Sequence, residues 1–127
     1  MRGFAVALSF LVLLAGSTAA SAVEILYFWA NDCVHCNRLD GSEMAEYLAS
    51  PTAKRVRVRK VDVGSYRASG TTIRQILPAD LAYLQDRSIQ LGGTPRFLIV
   101  DKGQVLYNGM GRGRFRETVV PYAQALR

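Results

Sequence analysis

Hydrophobic and polar positions divide this sequence into short strand-like and helix-like segments. Residues 24–30 form a continuous apolar and aromatic run, which is typical of a strand buried on both faces. Asn31 and Asp32 follow it and offer capping oxygens for a helix that should stop before Pro51. Apolar residues recur in that helix at roughly helical spacing: Leu39, Met44, Tyr47 and Leu48.

The next segments continue the alternation. Residues 56–63 predict a second strand, and the helix between the two strands makes them parallel, with a right-handed crossover. A loop is expected over 64–70 and a helical turn over 71–77. A longer helix should begin at Pro78 and end at Gly92-Gly93, with three leucines on its buried face: Leu81, Leu84 and Leu91.

The last part of the chain predicts a hairpin and a closing helix. Residues 97–100 and 105–107 are expected to be antiparallel strands around a turn at 101–104. Pro121 should kink or start the last part of the closing helix. Four apolar residues mark the buried face of that helix: Phe115, Val119, Tyr122 and Leu126.

Residues 1–22 have the pattern of an export signal. Arg2 gives a basic start, residues 4–15 are almost entirely apolar, and Ala20-Ser21-Ala22 fits a cleavage site. Because the apolar run is shorter than the roughly 20 residues that span a bilayer, we expect cleavage rather than anchoring. The folded domain is then 23–127, and it contacts a membrane only if the signal stays uncleaved.

The net charge of +6 does not indicate a nucleic-acid-binding protein. The densest basic run alternates with Val56 and Val58, as an edge strand protected by charge would. It has no interleaved aromatic residues, and export removes nucleic acid as a partner. The residues of this run are Lys54, Arg55, Arg57, Arg59 and Lys60.

Both cysteines of the chain lie in one Cys-x-x-Cys motif, Cys33 and Cys36. A disulfide there closes a loop of four residues and stabilises a fold by only about 2 kcal/mol, against nearly 5 kcal/mol for a loop of about 100 residues. The pair therefore indicates a reversible dithiol. At the helix N-terminus, unpaired N–H groups favour the Cys33 thiolate as nucleophile, and Cys36 can resolve the mixed disulfide.

His35 lies between the two cysteines. If protonated, it would lower the pKa of Cys33, stabilise the reduced form and make the pair more oxidising. The alternative is a solvated bystander.

These motifs together resemble the thioredoxin-like proteins. Phe28-Trp29-Ala30 before the Cys-x-x-Cys motif is similar to the thioredoxin active-site entry, and Thr94-Pro95 before an apolar strand is similar to its cis-proline loop. Gly103, Val105 and Gly111 also fall at positions typical of that family. The resemblance implies an α/β thioredoxin-like fold, a four-stranded mixed sheet with helices on both faces, closest to the minimal glutaredoxin-like version.

The resemblance also implies a function. Pro95 would be cis beside the disulfide, and the backbone of Thr94 would pair with an extended substrate segment. The protein would be a periplasmic thiol:disulfide oxidoreductase without a cofactor or metal. It would act on exported proteins that contain cysteines and be recycled by a redox partner, and we favour a reductant or repair role of the cytochrome c maturation or sulfur-oxidation type.

Three departures from the family limit this comparison. Tyr27 stands where thioredoxins keep a buried acid that relays protons, and Asp32 stands where they have tryptophan. A carboxylate directly before Cys33 would oppose thiolate formation. Residues 64–90 are longer than the corresponding thioredoxin stretch, so we expect them to border the site and to take part in partner recognition.

Two other functions remain open from the residues themselves. Cys33, His35 and Cys36 could hold a soft metal ion such as Cu(I). The chain could instead be an interaction domain whose disulfide is purely structural.

Overall fold

The fold is built on a four-stranded mixed sheet, as predicted. The computed structural model describes residues 23–126, so the predicted export signal lies outside the described residues. The strand order is β2-β1-β3-β4; β1 and β2 are parallel, and the other neighbouring pairs are antiparallel. The strands are β1 (Val23–Trp29), β2 (Arg57–Asp62), β3 (Arg96–Asp101) and β4 (Gln104–Met110).

Strand β1 is the centre of the core, and residues 25–28 are fully buried. On one face Tyr27 stacks on Phe97, whose ring packs against Phe115 of the closing helix. On the other face Arg59, which pairs in register with Leu26, reaches Asp80 of a later helix. Helices therefore cover both faces, and this explains why the β1 run is apolar throughout.

Three residues of the basic run lie on the edge strand β2, as expected, whereas Lys54 and Arg55 belong to the helical turn before it. Arg59 forms two hydrogen bonds with the Asp80 carboxylate and lies 3.9 Å from Glu24. Lys60 Nζ lies 3.1 Å from Asp40 Oδ2. These two charges therefore connect β2 to neighbouring elements.

The predicted single helix between β1 and β2 is wrong, because the chain breaks it at Gly41-Ser42. The Gly41 N–H bonds to carbonyl oxygens of the preceding turn, and Ser42 Oγ donates to the Arg38 carbonyl at 2.6 Å. A hydroxyl that bonds back to the backbone competes with helix continuation. Three helices result: α1 (Val34–Asp40), α2 (Glu43–Ala49) and α3 (Thr52–Arg55).

The segment between β2 and β3 contains two short helices. The predicted turn at 71–77 is helix α4, Gly70–Ile76, capped by Ser69 Oγ, which accepts from Thr72 N. The helix expected from Pro78 to Gly92 is shorter than predicted: it is a 3₁₀ segment, Ala79–Gln85, with a kink at Leu81. Leu81, Leu84 and Leu91 are all buried as predicted, but Leu91 lies beyond this helix.

The closing helix has an irregular middle. It consists of α5 (Arg112–Arg114), a π-helical turn (Phe115–Val119) and α6 (Val120–Ala125), which has Pro121 in its first turn. Phe115 and Val119 are buried as predicted, but Ala123 takes the inward position expected for Tyr122, which is exposed. The π turn adds a residue to the helical repeat, and this moves the buried face by one position.

An ion pair connects this closing helix to α2. Arg112 Nε lies 3.0 Å and 3.1 Å from the two Glu43 carboxylate oxygens, and Arg112 also donates to Ser42 Oγ. These hydrogen bonds lower the pKa of Glu43 to about 2. Across residues 23–126, we find no helix that is long and apolar enough to cross a lipid bilayer.

The Glu43→Gln variant should be less stable than the native protein at pH 6, by about 0.5 to 1 kcal/mol for a well-aligned pair. Because the folded-state pKa is depressed, the contribution is complete above the ordinary glutamate value and is lost as the pH falls toward about 2. Urea unfolding at pH 6 and pH 2.5 measures this, and the difference in stability between the two proteins should be smaller at the lower pH. Glu46→Gln, one turn later in α2, is the control; an equal loss of stability in both variants would contradict the assignment.

Candidate active site

The two cysteines form a disulfide where β1 turns into α1. Cys33 is the N-cap of α1, and its Sγ accepts a hydrogen bond from the Cys36 N–H at 3.2 Å. This matches the expectation that helix N–H groups face the first sulfur. Cys33 is 3% exposed and lines an open groove, whereas Cys36 is fully buried and does not.

The groove beside Cys33 has a volume of about 370 Å³. It brings together three parts of the chain: the start of α1, the loop before β3, and the segment after β2. Its lining residues are Asp32, Cys33, Val34, His35, Tyr66 and Thr94. His35 is exposed at this groove, so its side chain is accessible to a partner.

The loop before β3 lies across the groove from the disulfide. The Thr94–Pro95 peptide bond is cis, and the Pro95 carbonyl accepts from the Gly111 N–H at 2.8 Å. Thr94 Oγ1 is buried and has no hydrogen-bond partner within residues 23–126. Gly93 has φ +89°, and this backbone angle favours glycine.

A buried arginine holds this loop in place. Arg96 is only 6% exposed, and its Nε and one terminal nitrogen donate to the Gly92 carbonyl at 2.9 Å and 2.6 Å. Its other terminal nitrogen donates to Asn108 Oδ1 at 2.7 Å, and Asn108 in turn donates to the Gln90 carbonyl. The Arg96 guanidinium thus connects the backbone of residues 90–92 to strands β3 and β4 through hydrogen bonds.

The carboxylate of Asp32 holds the segment after β2. Its two oxygens accept hydrogen bonds from Ser65 Oγ and from the Tyr66 N–H, each at 2.8 Å. These bonds lower the pKa of Asp32. The first part of the 64–90 stretch therefore borders the site, as expected, and it does so through Tyr66.

Tyr27 is buried below the disulfide, at the position expected to lack the family's acid. Its hydroxyl donates to the Cys36 carbonyl at 3.4 Å, and burial together with the nearby Asp40 charge raises its pKa far above the ordinary value. Lys60 Nζ bridges to Asp40 and lies 4.0 Å from the centre of the Trp29 ring. Lys60 and Asp40 thus form a charged pair beside Tyr27. Its carboxylate belongs to α1, whereas the buried acid of thioredoxins would belong to β1.

Sequence reasoning found the cysteines, His35, Thr94 and Pro95, and the structure brings all five to one end of the sheet. It missed Tyr66, which lines the groove, and Arg96, which holds the loop before β3. The long 64–90 stretch was the available signal for Tyr66. Within the described residues, no three His, Cys, Asp or Glu side chains form a group that could hold a metal ion.

Comparison with solved structures identifies the architecture. The periplasmic thioredoxin SoxS from Paracoccus pantotrophus matches with a TM-score of 0.51 and 19% identity, over 70% of this chain and 79% of that one. The thioredoxin of Malassezia sympodialis matches with a TM-score of 0.54 and 20% identity, over 82% of this chain and 77% of that one. Thioredoxin f2 of Chlamydomonas reinhardtii matches with a TM-score of 0.53 and 12% identity, over 86% and 83%.

The chain has the thioredoxin fold. No protein-family model matches its sequence, and no curated protein is significantly similar to it. At these identities the solved structures establish the fold alone, so the chemistry has to be argued from the site itself.

Replacing Arg96 with Met should loosen the loop that faces the disulfide, because three donors to Gly92 and Asn108 are lost. We expect a loss of stability of about 1 to 3 kcal/mol, since hydrogen bonds from a charged donor are among the stronger ones. Urea unfolding and hydrogen exchange at the Gly93 and Thr94 amides measure the two effects. Arg57→Met, on an exposed arginine of β2, is the control. Unchanged exchange at both amides would contradict the clamp.

Proposed function

We propose that this protein is an exported thiol:disulfide oxidoreductase, in which Cys33 attacks and Cys36 resolves. The observation that carries the proposal is the asymmetry of the disulfide. Cys33 lines the groove, and its sulfur accepts a hydrogen bond from a helix N–H, whereas Cys36 is completely buried in the core. A structural disulfide needs no open groove beside one of its sulfurs.

The reaction follows from this arrangement. In the reduced protein, the Cys33 thiolate attacks one sulfur of a partner's disulfide; a new S–S bond forms while the partner's bond breaks, and the second partner sulfur leaves as a thiolate. Cys36, once deprotonated, then attacks the Cys33 sulfur and displaces the first partner sulfur. Two electrons have moved to the partner, whose thiolates take up two protons, and the Cys33–Cys36 disulfide is restored.

We place this chemistry outside the cytoplasm, in the periplasm. The signal-like pattern of residues 1–22 supports export, and the similarity to a periplasmic thioredoxin is consistent with it. Partners are then exported proteins that contain cysteines, and a separate dithiol protein must return two electrons to the Cys33–Cys36 pair. No cofactor is needed, because the sulfur atoms carry the electrons themselves.

We propose the reducing or repairing direction, of the kind that serves cytochrome c maturation or sulfur oxidation. It rests on the resemblance of the small domain, with Thr94 before Pro95, to exported reductants. In a glutathione buffer the reduction potential should then lie nearer to the roughly −270 mV of thioredoxin than to the roughly −120 mV of strongly oxidising members of the fold. A potential near −120 mV would reverse the proposed direction.

The roles of the two cysteines can be separated by trapping. Cys36→Ser removes the thiol that expels the partner, so Cys33 should stay joined to it in a mixed disulfide that dithiothreitol releases. Cys33→Ser should capture far less, because Cys36 is fully buried. Non-reducing gels of periplasmic extract measure both variants. Equal capture by both, or by neither, would show that the assigned roles are wrong.

The charge of His35 should set part of the potential. If protonated His35 stabilises the Cys33 thiolate, His35→Ala should raise the Cys33 pKa and make the potential more negative, by about 30 mV for each tenfold change in equilibrium constant. His35→Gln should behave like His35→Ala, whereas His35→Lys should keep the native potential. Identical potentials in all four proteins would make His35 a bystander.

A further inference from the structure

A short segment after β2 forms one wall of the active-site groove. It consists of Ser65, Tyr66 and Arg67, which we call the 65–67 rim. Both carboxylate oxygens of Asp32, the residue directly before Cys33, accept hydrogen bonds from this rim. The rim is therefore fixed relative to Cys33 by two bonds of 2.8 Å each.

The rim presents an aromatic ring and a positive charge in a fixed arrangement. Tyr66 lines the groove and is 45% exposed, a large value for an aromatic side chain. Arg67 Nε donates to the Tyr66 hydroxyl at 2.8 Å, and the guanidinium carbon lies 5.3 Å from the centre of the ring. Such mutual support reduces the side-chain freedom that would otherwise be lost on binding.

Arg67 offers an acidic partner a positive charge beside the groove. It is exposed, follows the groove-lining Tyr66 and forms no ion pair within the described residues. The one carboxylate among the lining residues, Asp32, keeps its negative charge, because its hydrogen bonds to the rim lower its pKa, but both its oxygens are already bonded to that rim. His35, on the same groove, adds a side chain that can carry positive charge, and the chain as a whole has a net charge of +6.

Exposed apolar surface also lines the same groove. Val34, directly after Cys33, is 55% exposed and lines the groove together with Tyr66. An extended segment whose disulfide reaches Cys33 would thus have both an apolar side chain and the Tyr66 ring to pack against. Arg67 would then lie beside the residues that flank the reacting cysteine.

We propose that the 65–67 rim is the specificity element of this site, and that it selects disulfide-bearing protein segments with an acidic side chain next to the reacting cysteine. The acidic side chain pairs with Arg67, and the segment packs against Tyr66. Asp32 is a positioning residue in this arrangement, because both its carboxylate oxygens hold the rim. The inference rests on the proposed exchange activity and names the substrate class for that same site.

The test uses two peptides of nine residues, identical except that the single cysteine has Glu on both sides in one and Lys on both sides in the other. Each cysteine is held in a mixed disulfide with 2-thiopyridine, whose release is followed by absorbance. The protein is reduced beforehand and used in a single turnover, and each second-order rate constant is divided by the same variant's value for bis(2-hydroxyethyl) disulfide, so that changes in cysteine reactivity cancel. The native protein should prefer the Glu peptide by about fivefold or more.

Variants of the rim should change this ratio in different ways. Arg67→Gln should reduce the preference to less than about twofold, and Arg67→Glu should reverse it, because the charge is removed or inverted. Tyr66→Ala should lower the corrected rates for both peptides, because the packing surface is lost. Arg57→Glu, on the end of β2 far from the site, changes the net charge equally and should keep the native preference.

The outcomes separate this inference from the proposed function. If the native protein reduces bis(2-hydroxyethyl) disulfide but treats the two peptides alike, the acidic-substrate inference is overturned and the exchange activity stands. A matching loss of preference in Arg57→Glu and Arg67→Glu would also overturn it, since net charge alone would then explain the effect. If the small disulfide is not reduced at all, the proposed function fails and this inference fails with it.

Asp32→Ala tests the positioning role on its own. If the Asp32 carboxylate only adds negative charge to the groove, removing it should raise the preference for the Glu peptide. If it holds the rim, removing it should let Tyr66 and Arg67 move and should lower that preference toward one. A raised preference would overturn the positioning role of Asp32.

Discussion

The whole structure depends on the burial of the middle of β1 between two neighbouring strands and two helical layers. Residues 25–28 have no exposed surface, so the chain can place nothing but apolar or internally bonded groups there. A strand held in this way has a fixed end point. Cys33 comes a few residues after that end, and its N–H donates to the Ala30 carbonyl. The position of the Cys33 sulfur is therefore fixed by the buried strand.

Three separate parts of the chain meet at this end of the sheet, and a polar contact fixes each one. The start of α1 is held by the backbone around Cys33, the loop before β3 by Arg96, and the segment after β2 by Asp32. In each case hydrogen bonds to main-chain atoms fix the loop. Loops have little core of their own, so such contacts are an effective way to give them a defined shape.

Patterns that depend on near neighbours were predictable from the sequence. The β1 run, the charged alternation of β2 and the cysteine pair at a helix start all appear in the structure where they were expected. The break at Gly41-Ser42 was missed because the apolar spacing of Leu39, Met44 and Tyr47 continues across it. Tyr122 was predicted to be buried but is exposed, because a π turn shifts the buried face of the closing helix. The spacing of apolar residues in the sequence does not reveal such a turn.

Contacts between distant residues were not predictable. Arg96 and Asn108 meet because of the register between β3 and β4, and Asp32 meets Tyr66 across 34 positions of the sequence. Nothing local in the chain marks these pairs. The resemblance to thioredoxins supplied Thr94 and Pro95, but it could not supply contacts made by residues at which this chain departs from that family.

The attachment of the 65–67 rim through one carboxylate has a consequence for how such a protein can diversify. The rim belongs to a connection between strands, while the sulfur chemistry belongs to the junction of β1 and α1, and Asp32 bridges the two with side-chain and amide hydrogen bonds. A connection joined to the rest of the site in this way can be exchanged as a module. Under the proposed function, a different 64–69 segment would change which substrates the protein selects and would leave the Cys33–Cys36 pair unchanged.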